Sequence, residues 1–192
     1  MPTTRRTVPT VGALAALVAI ALVITLTLSC GGDDAPPDDP PPTTAAVTTT
    51  TTSVESEVEA AYTAYLRMSD RLLQAPDPSD PEILRLTTGR SLDALIRGLK
   101  ELRDANQAVE FGDQYTNEIQ SVELVDENNA VIRDCAIDDS RVVDQTTGEV
   151  VAEGIATGLF EVSLTRQGGH WRVTDTPEPE QSWEGVAGCA AD

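Results

Sequence analysis

One histidine, one lysine and seven aromatic residues are all that this chain of 192 residues holds of those types. The single histidine, His170, leaves no imidazole pair for a metal centre, and no Cys-x-x-Cys takes its place. No serine lies in a Gly-x-Ser-x-Gly context, so a nucleophile elbow is excluded. No glycine-rich loop of the phosphate-cradling kind is present, and no other cofactor motif. Positive charge is scarce too: 13 basic residues face 32 acidic ones, for a net charge of −19. Such a surface repels phosphate backbones, which excludes nucleic acid as a partner.

What is present is arranged unevenly. Arg5 and Arg6 precede Val11–Leu28, "VGALAALVAIALVITLTL", an apolar run interrupted only by Gly12, Thr25 and Thr27. Eighteen residues at helical rise span roughly 27 Å, the bare minimum for a bilayer core. The two arginines hold the N-terminal end on the cytoplasmic side, so the rest of the chain is exported. Residues 1–29 therefore read as a signal peptide or a signal anchor. Everything acidic lies at or beyond Asp33, and the part after Cys30 carries 32 − 11, a net −21.

Cys30 stands where the apolar run ends and a soluble tether begins. "LSC" followed by Gly31 resembles a bacterial lipobox. That resemblance implies a diacylglyceryl group on the Cys30 thiol and cleavage just before it. Thr27 stands where the motif prefers Leu, and Leu28 where a small residue is usual. An uncut anchor with an incidental thiol is the competing reading. Both put the protein on the outer, extracytoplasmic face of the cell membrane, lipid-anchored or single-pass. Residues 30–53, with "APPDDPPP" and a run of threonines, form a Pro/Thr/Asp-rich disordered tether.

Residues 54–192 form a single domain. Val58, Ala61, Tyr62, Tyr65, Met68 and Leu72 recur at helical spacing, predicting a helix over 54–74. Capping-box spacing is offered by Thr52 with Glu55 and by Ser56 with Glu59. Asp80 and Pro81 open a short helix, which Gly89 is expected to stop. Ser91 is expected to open a third helix, with Leu92, Leu95, Ile96, Leu99 and Leu102 on one face. Alternation then takes over. Ile119, Val122 and Leu124 belong to one strand. Val131, Arg133, Cys135 and Ile137 share one side of the next. Phe160, Val162 and Leu164 share a face of a long third, with a bulge or bend marked by Gly154 and Gly158. "QGGH" turns into "WRVTDT". Helices followed by antiparallel hairpins mean an α+β fold, with the helices packed on one face of a curved sheet.

A helical first third and a closing "GGHWRV" strand resemble the nuclear-transport-factor-like, or ketosteroid-isomerase-like, cone domain. The resemblance covers residues 54 to about 176 and carries fold better than function. Its isomerase-like branch implies a carboxylate and a tyrosine inside the cone performing proton transfer. Asp134 and Asp138 are the candidates for that carboxylate. They share a strand face with Ile132 and Ala136, and alternation leaves open whether they point inward. Asp139 and Glu161 lie nearby. The plainer alternative is a solvated strand end, with carboxylates paired to Arg133 or Arg141. Tyr62 and Tyr65 read as core, and His170 as a turn residue.

Cys135 and Cys189 remain in the exported part. An even pair in an oxidising compartment reads as a disulfide, pinning the tail "WEGVAGCAAD" to the sheet. Metal ligation and a reactive thiol are the alternatives. The resulting reading is a membrane-anchored lipoprotein with a non-catalytic binding or accessory domain. Its partner is a cell-envelope protein or a small apolar ligand. The alternatives are an isomerase or lyase of the same superfamily, or an envelope protein that dimerises through its sheet.

Overall fold

The computed structural model describes residues 53–190. The leader, Cys30 and most of the tether lie outside the described residues. Helix α1 spans Val54–Gln74 and buries Val58, Tyr62, Tyr65, Met68 and Leu72, the stripe its spacing predicts. Its cap is Ser53, whose side chain accepts from the Ser56 backbone N–H at 3.2 Å. That bond puts Ser56 inside the helix and so displaces the Ser56–Glu59 capping box, while Thr52 of the other box lies outside the described residues. After α1, Pro76 and Pro78 bar its continuation, and Arg71 clamps the turn by pairing with Asp80 at 3.0 Å and Glu82 at 2.9 Å.

Helix α2 spans Pro81–Leu86, capped by Asp80 accepting from the Glu82 N–H at 2.7 Å. Gly89 does not stop it. The chain leaves the helix at Thr87, and the Thr88 N–H donates to the Val173 carbonyl at 2.9 Å. Gly89 instead begins α3, Gly89–Asp104, at φ +58°, where a Cβ would lie 3.0 Å from the Thr174 carbonyl oxygen. Of the five-residue stripe on α3 only Leu99 is fully buried; Leu92, Leu95 and Ile96 pack half-buried against the core.

Six strands follow: β1 Gln107–Phe111, β2 Thr116–Leu124, β3 Asn129–Asp144, β4 Val150–Gln167, β5 His170–Asp175 and β6 Gln181–Glu184. All pairings are antiparallel. The β3–β4 hairpin is the spine. β2 and β1 pair end to end along the free edge of β3, and β5 and β6 do the same along β4. β1 escapes alternation because Ala108 and Val109, neighbours in sequence, are both buried.

Bulges bend the sheet at Ile119/Ser121, Val142/Val143 and Ser163/Leu164. The first brings Ile119 and Val122, an odd three positions apart, into contact with the same core. Gly154 and Gly158 lie outside these shifts, since β3 and β4 pair without a break from Asn129↔Thr165 to Val142↔Ala152. Gly158 instead makes room for a neighbour, because a Cβ there would sit 2.6 Å from the Phe160 ring.

On the helix side, Ile132, Val162, Leu164 and Val173 meet Val58, Met68, Leu72, Ile83 and Leu99. On the other side the C-terminal segment covers Cys135, Ile137 and Thr157. That segment is not a loose tail. β6 pairs with β4, a short 3-10 turn spans Gly188–Ala190, and Cys189 is disulfide-bonded to Cys135.

Candidate functional site

The inward phase of β3 runs Ala130, Ile132, Asp134, so a carboxylate occupies a position that pleat geometry reserves for core. Asp134 is 1 % exposed. Its Oδ2 accepts from the Tyr62 hydroxyl of α1 and from Asn117 Nδ2 of β2, each at 2.8 Å. Asn117 reaches it because β2 pairs Ile119 with Asp134, placing Asn117 two positions along on the same face. Its Oδ1 is buried and has no partner among the described residues. Burial pushes the Asp134 carboxyl above the usual carboxylate range; the hydrogen bonds from Tyr62 and Asn117, and the nearby Glu118 backbone, pull against that. Burial, reinforced by the Asp134 charge, raises Tyr62 far above the usual phenol, so its hydroxyl keeps its proton and donates.

These groups line a cavity of about 190 Å³ inside the cone, walled by Tyr65, Leu66, Phe160 and Val162. A second tyrosine–carboxylate pair stands in the same lining: the Tyr115 hydroxyl donates to Asp70 Oδ1 at 2.7 Å. Burial raises both of those groups as well. Tyr65 carries its hydroxyl beside Ser91 and Thr176.

The structure separates the acidic residues that sequence groups together. Asp134 faces in. Asp138, two inward positions further along, lines the cavity but is exposed at its mouth. Asp139 turns away and accepts from the Gln114 N–H at 2.9 Å. Glu161 is exposed on the opposite phase of β4 from Phe160 and Val162. Arg133 and Arg141 neutralise none of the three aspartates; they pair with Glu180 and Glu110. His170 is the exposed first residue of β5, after the positive-φ pair Gly168 and Gly169, and takes no part in this cavity.

Sequence reasoning misses Tyr115, Asn117 and Asp70. Two of them leave a trace: Asn117 shares the phase of Ile119, and Asp70 follows Tyr62 and Leu66 at intervals of four. Tyr62 and Tyr65 are core and cavity wall at once. Among the described residues no group of three or more His, Cys, Asp or Glu is placed to hold a metal ion. Chemically, the site offers one desolvated carboxylate oxygen for a donor or a proton, on an apolar wall.

No protein-family model matches the chain, and no curated protein matches it. Solved structures do. The fold overlays the intermembrane space region of the chloroplast protein ARC6 with a TM-score of 0.56 and 12 % identity, covering 68 % of this chain and 100 % of that one. Two further overlays are weaker. A ketosteroid isomerase-like protein from Erwinia carotovora atroseptica gives 0.41 and 21 % identity, covering 62 % of this chain and 90 % of that one. A scytalone dehydratase-like protein from Novosphingobium aromaticivorans gives 0.42 and 12 %, covering 66 % and 86 %. The architecture is the cone-like α+β fold that the sequence resemblance implies. At these identities the likeness is one of fold.

Proposed function

We propose that this chain is an exported, membrane-moored domain whose cone binds a small, largely apolar molecule bearing one hydrogen-bond donor. The observation that carries the reading is that Asp134 lines the cavity while its Oδ1 is buried without a partner among the described residues. Leaving such an acceptor unmet costs about 1–3 kcal/mol, which a donor on a ligand recovers. The volume sets the size: an apolar cavity of roughly 150 Å³ takes benzene, and this one measures about 190 Å³. A single ring with one donor is the class that fits. Export and mooring rest on Val11–Leu28 and Cys30, and the Cys135–Cys189 disulfide supports an oxidising compartment. Among the described residues no helix is long and apolar enough to cross a membrane. The anchor therefore falls to the leader.

Proton transfer at the same carboxylate is the second reading, favoured by the raised Asp134. Abstraction beside a carbonyl needs a base and also a donor for the developing oxyanion. Tyr62 and Tyr115, two hydroxyls of the lining, already serve Asp134 and Asp70. The geometry thus favours binding. Dimerisation through the sheet has less support, because the outer face at Cys135, Ile137 and Thr157 is covered by the chain's own C-terminal segment.

Titration of the ¹⁵N-labelled domain with phenol and with benzene tests the binding reading. Phenol is expected to move the Asn117, Asp134 and Phe160 amides saturably, with benzene about tenfold weaker for want of a donor. Equal affinities, or no saturable shift with either, overturn it.

A further inference from the structure

A second cavity, of about 470 Å³, lies between the first half of α1, the end of α2 and the β4–β5 hairpin. It shares no lining residue with the Asp134 cavity. Its apolar surface comes from Ala60, Ala61 and Ala64 of α1 and Leu86 of α2. Its charged groups are two guanidiniums, Arg85 and Arg166, and one carboxylate, Glu57. Trp171 is 5 % exposed, and its indole N–H has no acceptor among the described residues. Arg166 continues the inward phase of Val162 and Leu164 and stands across from Trp171 in the β4–β5 register, its guanidinium 6.0 Å from the ring centroid. Arg85, which also pairs with Glu82, and His170 complete the rim.

An indole gives only a donor, and a guanidinium has no acceptor at all. A ligand here must bring the acceptors. One carboxylate already shows the fit: Glu57 accepts from Arg166 Nη2 at 3.3 Å, the guanidinium's one side-chain partner among the described residues. The planar fork has further N–H groups to offer a second carboxylate. In a chain of net charge −19, long-range repulsion favours a single negative charge over several. The volume lies within the roughly 300–1,000 Å³ usual for small-molecule sites.

We propose that this cavity binds an amphiphilic monocarboxylate, its head on Arg166 and the Trp171 indole N–H and its apolar body over Ala60, Ala61, Ala64 and Leu86. The site is separate from the cone interior and stands or falls without it.

Octanoate is the probe, and the two tryptophan indole N–H signals are the readout, assigned with Trp183→Phe. Octanoate is expected to move the Trp171 signal saturably and leave that of Trp183 in place. Octanol, which lacks the charge, binds about tenfold weaker. Arg166→Gln weakens octanoate about tenfold, and Arg85→Gln, an exposed change that leaves the core alone, about threefold. Asp134→Asn leaves octanoate affinity unchanged. Octanol binding as well as octanoate, parental affinity in both arginine variants, or no saturable shift of the Trp171 signal overturns the proposal. Should Arg166→Gln not fold, Arg85→Gln and the octanol comparison decide it.

Discussion

Asp134 and Cys135 are neighbours on β3, face opposite sides of the sheet, and are each 1 % exposed. At this point the strand is buried on both faces. The cavity takes one side and the C-terminal segment the other. Cys189 holds that segment down by its bond to Cys135, and Thr157 holds it again: its hydroxyl donates to the Gly185 carbonyl at 2.7 Å and accepts from the Ala187 N–H at 3.2 Å. The covalent staple thus backs the strand position that carries the buried carboxylate.

Removing that staple has a calculable cost. Cys135 and Cys189 are 54 positions apart. Closing a loop of that length lowers unfolded-chain entropy by about 4 kcal/mol at most. Cys135→Ser with Cys189→Ser is expected to lower urea-measured stability by about 2–4 kcal/mol. Reductant should have a like effect on the parent and none on the variant. Amide exchange at Glu180, Gly185 and Ala187, which bond to β4, should quicken before that of the helices. Unchanged stability would mean that the segment is held by its strand pairing alone.

The pH dependence of stability carries the signature of Asp134. Its folded pKa is raised, chiefly by burial. The folded state therefore binds its proton more tightly than the unfolded chain does. Its contribution is fully present below the unfolded value of about 3.9 and is lost as pH rises through the raised folded value. Asp70 acts in the same direction. Asp80, Asp126 and Asp144 act in the opposite one, their carboxyls lowered by backbone or side-chain donors. Only a difference isolates Asp134. Asp134→Asn is expected to gain stability relative to the parent as pH rises from 4 to 7, by urea midpoints at each pH. A difference that stays flat with pH would remove the buried carboxylate from the account.

Tyr62 supports the charge. Tyr62→Phe deletes one of two side-chain donors to Oδ2 and leaves the ring in place. The expected loss is about 1–3 kcal/mol at pH 7 and less at pH 4, where a protonated Asp134 needs the donor less. The same change should raise the Asp134 pKa further, read from its side-chain carboxyl carbon shift. In the double variant Tyr62→Phe with Asp134→Asn the loss from Tyr62→Phe at pH 7 should shrink, since a neutral amide needs the hydroxyl's hydrogen bond less than a charged carboxylate does. An undiminished loss would show that the pair is not coupled.

Periodicity exposes the parts of this fold whose environment is uniform along an element. α1 has one buried face throughout, so Val58 to Leu72 announce it. The Phe160, Val162 and Leu164 phase of β4 is plain for the same reason. Periodicity is silent where the environment changes along the element. β1 buries neighbouring residues, and β2 shifts phase at a bulge. Gly89 reads as a stop because glycine usually ends helices; here a close approach to β5 and a positive φ put it at a start. Cys135 and Cys189 were legible as a pair from parity alone. The inward aim of Asp134 was not, since alternation assigns residues to two faces without saying which is the core. Tyr115 and Asp70 meet only after folding, 45 positions apart.

Gly158 is where the cavity wall depends on the absence of a side chain. A Cβ there would meet Phe160 Cε2 at 2.6 Å, Cζ at 2.9 Å and the Pro179 Cβ at 3.3 Å. The Phe160 ring lies back along β4 over this glycine and closes one side of the cavity. Gly158→Ala must push the ring away, and overpacking of this kind costs about 1–3 kcal/mol. The displaced ring should also weaken phenol binding. Gly154 is the control on the same strand: nothing lies within 4 Å of a Cβ there. Gly154→Ala is expected to stay within about 0.5 kcal/mol of the parent and keep phenol affinity. Equal losses at both positions would place the cost in the backbone of β4, and the wall of the cavity would then not rest on the Gly158–Phe160 contact.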